Sequence, residues 1–445
     1  MSAAPFDCDV LVIGGGPAGS TIATLLAMQG RVVRLLEKDA HPRFHIGESL
    51  LPANVRLLEE LGVREQIERI GMRKFGIEFV SPQHEHHAFF DFADVWDHNP
   101  GLSMAWQVRR SEFDQILFRR AGEVGVQASE GWRVTRVEFD ADGAWAHCMH
   151  GEQASKLRAR FVVDASGRDT LLASQFDLKR RNPIHNSAAL FGHFRNAERL
   201  GGRLEGNISI FWFAHGWFWF IPLADGTTSV GAVCWPYYLK SREKPLPEFF
   251  ADTLALAPKL AARLRGAELV DGRVYATGNY SYAAASSSAD RYLMVGDAYA
   301  FVDPVFSSGV YLAMASAFAA LPVVQATLDA GPAAAAAERR RFDAHMRKGP
   351  REFTWFIVRM TNPAMRRLFM YSSNMLRSKE AVLGLLAGDI FGKTPIWRAL
   401  RCFKGMYYLT SLLILPRAWK AWREHRVSIR DVGETKGENV LVQRR

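Results

Sequence analysis

Thirty-odd residues near the start leave this chain little freedom. The run CDVLVIGGG, residues 8 to 16, reads as a strand ending in a glycine turn. PAGSTIATLLAMQG follows as a helix, and RVVRLLEK as a second strand. Together they make a βαβ unit. Gly14-x-Gly16-x-x-Gly19 allows a tight turn and the close approach of a pyrophosphate to a helix N-terminus. Glu37 ends the next strand, 18 residues after Gly19, and can accept ribose hydroxyls. The pattern predicts a dinucleotide-binding domain of α/β class.

At 445 residues the chain is long enough for two or three cooperating units. FVVDASGRD (161–169) and YLMVGDAYAFVDP (292–304) read as further strands that end in Asp-x-x-Gly or Gly-Asp and return to the first domain. The expected division gives residues 1–73, 106–184 and 285–330 to that domain. Residues 74–105 and 185–284 form an inserted antiparallel β-sheet roof over a substrate, and 331–445 a basic helical region. LLPANVRLLEELG places Leu50, Leu57, Leu58 and Leu61 on one helical face that Gly62 stops, and SEFDQILFRRAGEVG is another helix.

Several function classes drop out. Cys8, Cys148, Cys234 and Cys402 lie far apart without a C-x-x-C pair, so neither a disulfide framework nor a zinc site is signalled, and a reducing cytoplasm fits best. The chain enters its first strand without an export signal. The uncharged run from Pro304 to Leu328 is interrupted by prolines, serines and a glutamine, which predicts a buried helix rather than a membrane span. HEHH, 84–87, puts His84 and His86 on one strand face and Glu85 and His87 on the other, with no further ligand pair, so no metal is expected.

The net charge of +10 is uneven. Residues 331–445 hold 23 Lys and Arg against 9 Asp and Glu, leaving −4 for the rest. No nucleic-acid motif accompanies this charge. GMYYLTSLLILPRAWKAWREHR, 405–426, joins an apolar run to a Trp- and Arg-rich helix. A solvated basic face, a lid, a docking face for an acidic carrier protein and a peripheral membrane contact all stay open.

The glycine turn and the two later strand ends resemble the glutathione-reductase-like FAD proteins, in particular the hydroxybenzoate-hydroxylase-like branch. WQVRRSEFD, 106–114, resembles the family segment whose arginine meets FAD phosphates; Arg110 matches it and Arg109 is the adjacent alternative. RFHIGESLLP, 43–52, and GWFWFIP, 216–222, with GGGPAGS, narrow the resemblance to the flavin-dependent halogenases of the shorter phenol, pyrrole and carrier-protein type.

The resemblance implies FAD held by Gly14, Gly16, Ala18, Gly19, Glu37, Lys38, Gly47, Ser49, Arg110, Asp164, Asp297, Gly309 and Val310. It implies a halide site at Pro304, Ser307, Ser308 and Gly309, where free N–H groups open a helix. Trp217 and Trp219 would crowd the flavin side, or simply fill a sheet face. Lys74, 26 residues after Glu48, matches the lysine between flavin and substrate, where an amine can hydrogen-bond hypohalous acid or form an N-haloamine. Glu48 would position flavin or halide-side groups.

The implied reaction uses FADH2 from a separate flavin reductase, since no second strand-glycine-helix unit offers a nicotinamide site; GGRLEG, 201–206, lacks a preceding strand. Oxygen gives a C4a-hydroperoxide, chloride or bromide gives hypohalous acid, and Lys74 delivers halogen to an aromatic ring, free or carrier-bound. The alternatives are an aromatic hydroxylase that needs neither Lys74 nor the tryptophans, a flavin reductase of unsaturated lipids, and a non-catalytic flavin scaffold that docks a carrier protein.

Overall fold

A computed structural model describes residues 5–94, 100–278, 281–372, 374–391 and 394–430. The opening strand Cys8–Ile13 lies inside a seven-stranded sheet, parallel to Val33–Leu36 on one side and to Gln153–Asp164 on the other. Gln127–Ser129 extends the sheet beyond Val33–Leu36, and Tyr292–Met294 joins the end of Gln153–Asp164 in parallel. The first half of Gln153–Asp164 pairs instead with Ala144–His150, which carries Trp132–Phe139.

Register explains why segments 280 residues apart meet. Ile13 pairs with Asp164 and Asp164 with Met294, so three parallel strands stop at one level. The glycine turn, Asp164 and the Gly296-Asp297 corner leave the sheet side by side at its carboxyl edge, where α/β sheets bind ligands. Two glycines permit this closeness: a Cβ on Gly14 would lie 2.4 Å from the Ala165 carbonyl oxygen, and one on Gly19 only 1.8 Å from that of Gly14.

The roof is an eight-stranded sheet. Ala188–Arg195, Thr228–Cys234, Gly216–Pro222 and Ile208–Phe213 run antiparallel in that order, and Gly76–Val80 adds parallel to Ile208–Phe213 before turning back as Ala88–Asp91. Its strands read as unbroken apolar runs because both faces are covered. Trp212, Trp217, Trp219 and Ile221 pack toward the C-terminal helices. Phe211, Phe213, Phe218 and Phe220 pack against Phe249, Phe250, Leu254 and Leu260.

Those last residues lie on Leu246–Ala255 and Pro258–Arg263, two helices within a stretch read from sequence as β-sheet alone. Each carries a proline in its first turn, a helix-start signal that the surrounding β-like runs masked. HEHH also differs from expectation: residues 84–87 form the turn joining Gly76–Val80 to Ala88–Asp91, so strand alternation does not apply. His87 Nδ1 lies 2.7 Å from Glu78 Oε1, and His86 Nε2 lies 3.0 Å from the Met370 carbonyl oxygen.

Beyond residue 331 the chain is helical, with Ala336–Ile357, Pro363–Met370, Ser378–Ala387, Ile396–Leu413 and Leu415–Arg430. The Trp212 indole donates to the Met360 carbonyl at 3.0 Å, tying this layer to the roof. Gly309–Ala330 is, among the described residues, the one helix long and apolar enough to cross a membrane by length and composition. It packs against Pro17–Met28 and Ala336–Ile357. The four cysteines are unpaired.

Candidate active site

The helix Pro17–Met28 starts at Gly16 without a side-chain cap, so its first-turn N–H groups face outward as donors. A Cβ on Gly16 would find only the Arg43 guanidinium, 3.4 Å away. Arg43 lies 3.5 Å from Glu37 Oε2 and 3.4 Å from Asp114 Oδ2, and so is a cation held beside the glycine turn. Glu37 is buried, accepting from the Gly15 N–H at 2.7 Å and the Asp39 N–H at 3.0 Å. Arg43 escaped the sequence reading although it stands in the quoted RFHIGESLLP segment.

The neighbouring arginines separate. Arg110 is buried, paired through two nitrogens with Asp114 at 2.8 and 3.0 Å, and donates to the Ile46 carbonyl at 2.8 Å. It thereby pins the loop containing Gly47, whose φ is +105°. Arg109 turns to the roof, reaching Asp225 and Thr227 at 2.6 Å each. Lys38 pairs with Asp169 across the sheet edge.

Asp164 accepts from the backbone N–H groups of Ser166 and Leu172 at 2.9 and 2.8 Å, organising the loop after its strand. Burial raises its pKa. Asp297 differs: its carboxylate makes no hydrogen bond among the described residues, and burial pushes its pKa up to about 6 against the opposing pull of Arg168 and Arg110. Gly296 is wedged between Ala18 and Ala313, so the Asp297 corner is locked to the helices that begin at Gly16 and at Ser308.

Asp303 caps the turn Pro304–Phe306 by accepting from the Val305 N–H at 3.2 Å, while its other oxygen accepts from Ser187 at 2.6 Å and lies 3.1 Å from His185 Nε2. Ser307 adopts φ +55°, and Ser308 begins Gly309–Ala330 with no side-chain cap. A Cβ on Gly309 would meet nothing within 4 Å. This helix start is therefore open, with unclaimed donors, while the Val310 side chain is buried beside Leu50 and Met314.

Between these edges runs the segment 43–52. Glu48 and Ser49 point in opposite directions. Ser49 Oγ accepts from Lys74 Nζ at 3.0 Å, and the Leu50 carbonyl accepts from the same amine at 3.1 Å. Lys74 is fully buried, 5.4 Å from the Phe92 ring, and desolvation pushes its pKa down to about 7. Its neighbour Arg73 faces solvent beside Glu68. Glu48 Oε1 lies 2.7 Å from His193 Nε2 on the roof, and Glu48 Oε2 is buried with no partner among the described residues. His193 and Gln107, whose Oε1 is likewise buried and unpartnered, were not singled out from sequence.

Trp217 and Trp219 share the inner face of Gly216–Pro222 with ring centroids 6.2 Å apart, both buried. Trp219 donates to Ser229 Oγ at 3.1 Å, and Gly231 makes room for its ring. The pair belongs to the apolar cluster that includes Leu51, Val305 and Phe306, so it adjoins both the 43–52 segment and the turn before Ser308.

Over residues 7–348 the chain matches the FAD binding domain family. It is 36% identical over 333 residues to a tryptophan 2-halogenase of Chondromyces crocatus, covering 73% of this chain and 62% of that protein. It is 33% identical over 334 residues to a 1H-pyrrole-2-carbonyl-peptidyl-carrier-protein chlorinase of Pseudomonas fluorescens, covering 70% of this chain and 74% of that one. The solved myxobacterial chondrochloren halogenase CndH superposes with a TM-score of 0.74 at 31% identity, covering 92% and 97% of the two chains.

The chain belongs to the flavin-dependent halogenases.

As a flavin-dependent halogenase it carries an FAD-binding fold, and the sheet edge suits that group on physical grounds. A dinucleotide needs donors for its phosphates, acceptors for its sugar hydroxyls and an uncrowded backbone. Gly16 and Gly309 leave open approaches, two helix starts present free N–H groups, and Asp297 and Glu48 Oε2 are buried acceptors lacking partners.

Proposed function

We propose that this halogenase uses reduced FAD and oxygen to place chloride or bromide on an aromatic ring, with Lys74 handling the electrophilic halogen. FAD, when bound, supplies the oxygen chemistry that converts halide to hypohalous acid. The chain supplies the rest. Gly14, Gly16, Ala18, Gly19 and the Pro17–Met28 helix start hold the phosphates, aided by Arg43; Glu37 takes ribose hydroxyls and Asp297 the ribityl chain. Gly47 and Arg110 shape the loop at the flavin, and Ser307, Ser308 and Gly309 receive the halide. Lys38, Asp164, Pro304 and Val310 frame these contacts through the backbone they brace.

The observation that carries this reading is the burial of Lys74 with its amine held by Ser49 and the Leu50 carbonyl. A lysine at pKa about 7 exchanges its proton near neutrality, so it can either donate to hypohalous acid or attack as an amine. Trp217 and Trp219 fill the space toward the roof and exclude water, which would otherwise consume the halogenating species.

The reductant is assigned to a separate flavin reductase. Residues 201–206, the nearest second glycine motif, form a short 3-10 turn at Gly202–Leu204 with no helix behind it. The substrate is an aromatic ring, either a free small molecule or one tethered to a carrier protein, as in the pyrrole chlorinase relative. The unpaired cysteines agree with a reducing cytoplasm.

Product mass spectrometry with reduced FAD, oxygen, bromide or chloride, and free and carrier-bound phenols and pyrroles tests the proposal. A halide isotope pattern is expected. Addition of one oxygen regardless of halide would replace it with the hydroxylase reading, and absence of any turnover with every acceptor would leave the scaffold.

A further inference from the structure

Leu412, Leu413, Ile414 and Leu415 join the last two helices, Ile396–Leu413 and Leu415–Arg430, as an apolar turn projecting from the body. Leu413 is 77% exposed, Leu412 66% and Leu415 51%. Tyr408 and Leu409 continue this patch down one helix, Trp419 and Trp422 down the other. So many large apolar side chains in one exposed patch mark an interaction surface.

The helix Leu415–Arg430 has three faces. Ala418 and His425 turn inward, where the His425 ring meets Trp235 edge-on at 4.7 Å and stacks on His185 at 6.1 Å. Leu415, Trp419 and Trp422, spaced i, i+4, i+7, form an outward apolar stripe, with the two indoles 5.1 Å apart and the Arg426 guanidinium over Trp422 at 4.6 Å. Exposed Arg417, Lys420 and Arg423 form the third face. From Ile396 to Arg430 eight basic residues stand against one acidic, Glu424.

We infer that this terminal hairpin docks the protein on an anionic lipid surface, with the leucine turn entering the acyl boundary, the tryptophans at the interface and the basic face against the headgroups. The order along the hairpin matches that of a bilayer leaflet: an aliphatic tip, then indoles, then cations. An acidic protein partner would match the charge, but it leaves a projecting leucine tip without a recess to fill. The inference stands independently of the halogenation chemistry, because the hairpin contributes no residue to the flavin edge or to Lys74.

Flotation of the full chain with vesicles of phosphatidylcholine, alone or mixed with phosphatidylglycerol, tests it. Binding is expected to the mixed vesicles, with a blue shift of tryptophan emission and release at high salt. Leu412→Ser/Leu413→Ser/Trp419→Ser and, separately, Lys420→Glu/Arg423→Glu should each weaken binding by more than about tenfold, since one basic residue near an anionic surface is worth roughly fivefold. Bound-flavin absorbance should stay unchanged in both, which verifies that they fold.

Wild type that remains in solution with both vesicles would overturn the inference. So would variants that float as well as wild type. A shift from dimer to monomer in the leucine variant without wild-type flotation would assign the face to a second copy, and capture of an acidic carrier protein without lipid binding would assign it to that partner.

Discussion

Lys74 Nζ and Ser49 Oγ are 3.0 Å apart, although they belong to different sheets' worth of chain: Ser49 to the loop after the nucleotide-binding unit, Lys74 to the strand that enters the roof. The short strand Met72–Lys74 pairs with Ala105–Gln107, and Ser49 bridges to Gln107, so one backbone strip fixes both partners. The amine is thus set on the boundary between flavin edge and roof.

Lys74→Met is expected to abolish halogenated product while flavin oxidation continues. It should also stabilise the protein near pH 7 by ~1–3 kcal/mol, because it removes a buried polar group. The folded pKa is depressed, so between about 7 and 10.5 the unfolded chain holds a proton that the folded chain lacks, and wild type gains stability as pH rises. The stability advantage of Lys74→Met should therefore shrink from pH 7 to pH 9 in thermal melts, and an advantage that grows would refute the depressed pKa.

The pair Glu48 and His193 can be separated by substitution. His193→Ala leaves the buried Glu48 carboxylate without its one hydrogen-bond partner and should cost about 1–3 kcal/mol. Glu48→Gln keeps a partner for the imidazole and should cost less, while lowering flavin-dependent turnover. Denaturant melts beside single-turnover rates would separate the effects; equal losses of stability would argue that Glu48 is merely structural.

Asp297→Asn is expected to weaken FAD binding by at least about tenfold, in line with roughly 1.5–3 kcal/mol for a hydrogen bond to a charged group. Its folded pKa is raised to about 6, so the folded chain takes up a proton that the unfolded one lacks between the ordinary aspartate range and 6, and the stability linked to this group falls as pH rises through that window. The flavin-free Asn variant should thus match wild type at pH 4 and exceed it at pH 7. Flavin fluorescence titration and melts at the two pH values check both parts.

Gly16 and Gly19 should respond oppositely to alanine. Gly19→Ala drives a Cβ to 1.8 Å from backbone and should prevent folding of the turn, whereas Gly16→Ala meets only the mobile end of Arg43 at 3.4 Å. Gly16→Ala is expected to keep its melting temperature within a few degrees yet lose flavin affinity, as read by gel filtration with FAD. Retained affinity would remove Gly16 from the phosphate site.

The sequence by itself determined what short-range sterics and periodicity control. Three glycines at that spacing admit one kind of turn, and strands ending in Gly-Asp announce a shared edge. Trp217 and Trp219, two residues apart, must share a face. Lys74 could be proposed from its distance to Glu48 within a recognisable segment. Tertiary packing decided the pairings between residues far apart in the chain. Arg109 and Arg110 are neighbours of identical chemistry, yet one reaches Asp225 and the other Asp114, a choice set by the start of the helix Arg110–Glu123. Arg43 at the glycine turn and His193 against Glu48 depend on how the roof settles on the sheet, which no local pattern encodes. The pKa of Lys74 depends likewise on burial supplied by Phe92 and Leu50, because desolvation is a property of the assembled interior and not of the lysine or its immediate neighbours in sequence.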